Sequence, residues 1–143
     1  MSSEPTHYYV VFTDTEPDER GLAYWRLFTR AAFRHCFVFW RDDVEWFRLD
    51  CNAYRLEIEV LPWARSADVP GIFRAAGGIV VKVEPRHGDE HMGRLPFGWI
   101  TCVTVVKALL GINSRWTLTP YALYCLLREG GGGELCIEGP ETP

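Results

Sequence analysis

A cysteine at the point where a loop turns into a helix can carry chemistry. In FGWITCVTVVKALLGI (97–112), Cys102 follows a Phe-Gly pair and heads an apolar run that closes at Gly111. A thiolate there feels the partial positive charge of the unpaired backbone N–H groups of the first helical turn, which lowers its pKa, and the same N–H groups can hold an oxyanion. The alternative is a small buried hydrophobe in the first turn of a core helix. Cys36, Cys51, Cys125 and Cys136 lie mid-helix or in and beside strands, without that dipole.

A cysteine nucleophile needs an imidazole as base and a third group to hold that imidazole. His35 opens the apolar strand RHCFVFW, where a polar ring needs a partner or a purpose; water or backbone could equally satisfy it at an edge. Asp50 closes the next strand, EWFRLD. With a tight turn centred near Asp43, antiparallel pairing places Asp50 opposite His35 or within one residue of it. A carboxylate beside the ring orients it and favours its protonated form. Asn52 is the reserve candidate for that role, and Asp50 alone could be a strand-ending carboxylate before CNAY.

The segment HGDEH (87–91) matches H-x-x-E-H, a zinc-protease pattern that requires both imidazoles on one face of a regular helix. Pro85, Gly88 and Pro96 and the lack of an apolar stripe argue instead for a loop between strand and helix, forming a rim of a cleft. Neither metal nor cofactor is called for. The run of four glycines at 130–133 follows a helix, at the end whose dipole repels anions, so nucleotide binding has no support.

These residues must be positioned by elements the sequence predicts. HYYVVF (7–12) reads as a strand, TDTEPDERG as a loop, and 22–33 as a helix with Leu22, Trp25, Leu27 and Phe28 near helical spacing. Strands follow at 35–40, 45–50 and 55–62, joined by short connections as an antiparallel meander; in the last, Leu56, Ile58 and Val60 alternate with Glu57 and Glu59, as for a strand with one wet face. A short helix capped by Ser66 or Asp68 and stopped by Gly77 leads to a strand at 79–85. Two helices close the core, Thr101 to about Leu110 with Val103, Val106, Leu109 and Leu110 buried, and one capped by Thr119 with Pro120 at its first position. The tail from 129 to 143 offers at most one edge strand. The expected fold is one α+β domain over residues 1–143, with a core from about 7 to 128.

Composition narrows the partners. The chain has 143 residues, 48% of them hydrophobic and 14% aromatic, enough for a sizeable core. Its 19 acidic and 15 basic residues are interspersed, with a net charge of −4, so no basic stripe faces nucleic acid. Five separated cysteines without a C-x-x-C point away from a disulfide framework and toward a reducing, cytoplasmic setting. MSSEPTHYY lacks the features of a signal peptide, and no apolar run reaches the roughly eighteen residues of a membrane span. Six tryptophans are expected mostly in or beside the core, with Trp99 at a cleft wall.

The order of a strand-leading His (FRHCFVFW), a polar residue on the next strand (FRLD) and a late Cys heading a helix (TCVTVVKALLGI) resembles the circularly permuted papain-like thiol hydrolases, which include cell-wall amidases and the lecithin:retinol acyltransferase group. The layout is also similar to small phage and prophage members with a TP-x-x-L-x-x-L helix after the cysteine helix, here TPYALYCLL (119–127). The resemblance covers about residues 30 to 128, though Val-Thr follows Cys102 where better-studied relatives have Ser-Gly or Glu-His. It implies Cys102 as nucleophile, His35 as general base and acid, Asp50 as orienting residue, and a peptide or peptidoglycan amide as substrate. The other function class it raises is a phage or prophage structural or assembly protein, virion-associated, that keeps the fold and does not use the thiol.

Overall fold

The computed structural model describes residues 7–14, 30–52, 55–84 and 100–130. They form an α+β fold: a five-stranded antiparallel sheet with helices on both faces. The strands are β1 (Tyr8–Thr13), β2 (His35–Arg41), β3 (Trp46–Asn52), β4 (Arg55–Leu61) and β5 (Ile79–Val83), in the order β4-β3-β2-β1-β5. The described helices are α1 (Val69–Ala75), α2 (Cys102–Leu109) and α3 (Pro120–Glu129). The meander β2-β3-β4 is as expected, and each strand lies within a residue or two of its sequence-based bounds.

The unbroken apolar run of β1 has a plain cause. The strand lies inside the sheet, between β2 and β5, and is covered on both faces, so Val10, Val11 and Phe12 are all fully buried. Val10, Phe12, Cys36, Val38, Leu49 and Cys51 face α2 and α3, where Val103, Val106, Leu123 and Leu127 complete the main core. Val11, Phe37, Phe39 and Trp46 face the other way, toward Val69 and Phe73 of α1.

The helix boundaries follow side-chain chemistry. Asp68 caps α1 by accepting the Gly71 N–H at 3.0 Å. Thr101 caps α2: its Oγ1 accepts the Thr104 N–H at 3.2 Å and Thr104 Oγ1 accepts the Thr101 N–H at 2.7 Å, a capping box with threonine at both ends. Gly111 follows α2 at φ +67°, the left-handed conformation that suits glycine. Thr119 caps α3 through the Ala122 N–H at 3.2 Å. Lys107, buried in the last turn of α2, donates to the carbonyls of Ser114 and Thr117 and so ties α2 to the connection that leads into α3.

Three expectations about this framework are corrected. The helix predicted over 22–33 cannot extend to Phe33: residues 22–29 lie outside the described residues, and 30–33 form a tight turn closed by an Arg30–Phe33 bridge, with Ala32 at φ +67°. The apolar side of β4 is not buried, with Leu56, Ile58 and Val60 exposed by 58%, 69% and 49%, because β4 is the sheet edge beyond the span of α2. Its other side is wet too, Glu59 pairing with Arg48 at 3.0 Å. Trp116 is 89% exposed, not core; Trp46 is buried, and Trp40 and Trp63 are half-buried. Trp25, Trp99, the HGDEH segment, Cys136 and the expected tail strand lie outside the described residues. No described helix is long and apolar enough to cross a membrane.

Candidate active site

The site forms where the sheet opens. Pairing between β2 and β3 runs from Arg41↔Trp46 to Val38↔Leu49 and goes no further, although β3 stays paired with β4 through Asn52↔Arg55 and β2 with β1 through His35↔Thr13. The first residues of β2 and the last of β3 are thus left without a mutual ladder. His35, Cys36, Asp50 and Cys51 occupy this open end, and α2 packs against both strands.

The turn between β2 and β3 sets the register. Asp42 Oδ1 accepts the N–H groups of Val44 and Glu45, each at 2.7 Å, and the Asp42 N–H donates to the Glu45 carbonyl at 3.1 Å. The bonds to its carboxylate, that of Glu45 first, hold the Asp42 carboxyl below its usual pKa. With Arg41 paired to Trp46, the midpoint of the turn lies between Asp43 and Val44, half a residue later than a turn centred on Asp43. Continuing that ladder puts Phe37, not His35, opposite Asp50, so the expected pairing within one residue is corrected to an offset of two.

His35 and Asp50 are therefore diagonal neighbours, and this is why they meet. An offset of one would send their side chains to opposite faces, whereas an offset of two keeps them on one face. The His35 Nε2–H donates to Asp50 Oδ1 at 2.7 Å, and both residues are buried.

Cys102 is the first residue of α2, as expected, and is buried. Its thiol interacts with the His35 ring, whose Nε2 is held by Asp50. Burial works against a charged His35, but hydrogen bonds to Asp50 and Cys102, with their charges, outweigh it and raise the ring from 6.5 to about 9. The Cys102 thiol is held well below its ordinary value, first by a hydrogen bond from the Cys36 thiol, against burial, and then by His35 and the Cys36 backbone N–H. Together these favour a thiolate–imidazolium pair at neutral pH. The cap engages the Thr104 N–H and the Val105 N–H donates to the Thr101 carbonyl, so among the described residues the N–H groups of Cys102 and Val103 are the first-turn donors to which the helix itself supplies no partner.

The strand leading into His35 is anchored on both sides. The Arg34 N–H donates to the Thr13 carbonyl at 3.0 Å, and Phe33 packs on Tyr124 of α3 with ring centroids 4.9 Å apart.

Cys36 is the participant that sequence reasoning missed. Neighbours on a strand point to opposite faces, so His35 and Cys36 would not be expected to meet one sulfur. Both act on Cys102 at the end of β2 where its pairing with β3 has stopped. The signal in the sequence was the His-Cys pair itself, which alternation argues against using. Asn52 continues β3, but its side chain lies outside the described ones. Among the described residues no cluster of three or more His, Cys, Asp or Glu side chains could hold a metal ion.

Compared with protein-family models, curated proteins and solved structures, the chain matches none.

Proposed function

We propose that the protein is a cysteine hydrolase of the permuted papain-like kind, acting on amide bonds in peptides or peptidoglycan. The observation that carries this reading is the His35 ring shared between Asp50, at 2.7 Å, and Cys102 at the head of α2. The Cys102 thiolate attacks the carbonyl carbon, the oxyanion is met by the N–H groups of Cys102 and Val103, and the His35 imidazolium protonates the departing amine. Neutral His35 then takes a proton from the water that attacks the thioester, releasing the carboxylate and restoring the resting pair. Asp50 holds the ring in orientation and favours its charged form. The test is hydrolysis of peptide and peptidoglycan amides by the wild type, with mass-spectrometric capture of an acyl group on Cys102. Activity abolished in Cys102→Ala and His35→Ala supports the reading; hydrolysis that survives Cys102→Ala refutes it.

A second reading, a phage or prophage structural or assembly protein that does not use the thiol, draws on the exposed apolar side chains Leu56, Ile58 and Val60 along the β4 edge. Such a row suits a packing partner. Inert thiols together with stable self-assembly would favour it.

A further inference from the structure

β4 is the strand the helices leave bare. Among the described residues it pairs only with β3, so its outer edge presents backbone N–H and C=O groups to a further strand. β5, the opposite edge, differs: it lies against α1 and α3, with Val80 and Val81 buried. On β4, Leu56, Ile58 and Val60 are exposed on one side, while Arg55, Glu57 and Glu59 point to the other. We propose that the occupant of this edge is a second copy of the chain, the two β4 strands pairing antiparallel about a two-fold axis at Glu57 and joining the two sheets into one.

The charges on β4 select that register. A two-fold axis perpendicular to the sheet keeps each face on its own side and opposes residues of the same parity. Centred on Glu57, it sets Arg55 against Glu59 of the second copy and Leu56 against its Ile58, each pair occurring twice. The one like-charge contact, Glu57 with its own copy, is offset by Arg55 of the same strand, 3.8 Å from Glu57. Centring on Ile58 instead would oppose Glu57 with Glu59 twice and leave Arg55 against Leu61. Centring on Leu56 pairs only Arg55 to Glu57, and centring on Glu59 leaves Arg55 out altogether. Arg48, which holds Glu59 at 3.0 Å, extends the polar side of the joined sheet with a further cation, so that Arg48 and Arg55 balance Glu57 and Glu59 in each copy. On the other side, Leu56 and Ile58 of both copies form one apolar row with Val60 at each end. Neither Cys102 nor His35 takes part, so the dimer goes beyond the hydrolase reading and does not depend on it.

The test is sedimentation of the reduced full-length chain over a range of concentrations, which should show a monomer–dimer equilibrium. Ile58 is exposed in the single copy, so Ile58→Lys should keep the wild-type circular dichroism yet raise the dimer dissociation constant at least about tenfold. Glu57→Gln removes the like-charge contact and should tighten the dimer. The register is read by oxidising Glu57→Cys with copper phenanthroline and mapping the link by mass spectrometry: residue 57 should join residue 57 of the second copy, and Glu59→Cys should form no such link to itself. A monomer at every concentration, an Ile58→Lys dimer as tight as the wild type, or self-linking through Glu59→Cys in place of Glu57→Cys overturns the proposal. A dimer that hydrolyses no amide keeps this proposal and loses the hydrolase reading; a monomer that hydrolyses one does the reverse.

Discussion

Replacing Asp50 with Asn removes the charge beside His35 and keeps the shape of the side chain. In the wild type the ring is protonated up to about 9 instead of 6.5. At 1.36 kcal/mol per pKa unit, that is roughly 3 kcal/mol in favour of the imidazolium, gained against burial. The hydrogen bond to Asp50 is the foremost favourable contribution, ahead of Cys102. Without the carboxylate, burial is opposed chiefly by Cys102, and the ring should lose at least about one unit. Each unit lost lowers the equilibrium constant of the thiolate–imidazolium pair tenfold, so in Asp50→Asn the His35-dependent step of the Cys102 iodoacetamide profile should move down by at least about one pH unit. The assay is the pseudo-first-order rate at Cys102, resolved from the other thiols by peptide mass spectrometry, across about pH 5 to 10. Denaturant unfolding of the variant checks that the fold persists. A folded Asp50→Asn protein with the wild-type rate profile would refute the role given to Asp50.

The same linkage bears on stability. Because the folded-state pKa of His35 is raised, its contribution is fully present below about 6.5 and is lost as pH rises through about 9, by at most about 3 kcal/mol; urea unfolding at the two ends of that window should show the loss, and His35→Gln should flatten it. Ala32 sits at φ +67°, where a β-carbon is strained, so Ala32→Gly should stabilise the fold by up to about 1 kcal/mol in the same measurement. Phe12 is fully buried between Phe33 and Tyr124, with centroids at 5.6 Å from each, and Phe12→Ala should cost about 3–5 kcal/mol.

Local chemistry made most of the framework legible. Thr101, Thr119 and Asp68 act as caps, Gly111 stops α2, and the alternating and continuous apolar runs mark the five strands. His35, Asp50 and Cys102 could be nominated because residue type and order restrict the chemistry. What could not be read is set by three-dimensional placement. The β4 pattern is the same whether its apolar side meets a helix or solvent, and only the position of β4 at the sheet edge decides. The His35–Asp50 contact depended on a turn midpoint half a residue from the assumed one. The β2–β3 ladder stops at Val38↔Leu49, short of Cys36, which no pattern in HCFVFW announces.

The central claim is that Cys102 rests as a thiolate beside a protonated His35. Its most direct test is the pH titration of thiolate ultraviolet absorbance in the folded protein, taken as the difference between wild type and Cys102→Ala. One thiolate should already be present at neutral pH, disappear in Cys102→Ala, and titrate upward in His35→Ala. A difference spectrum that appears only near the ordinary thiol value of about 8.5 would contradict the claim.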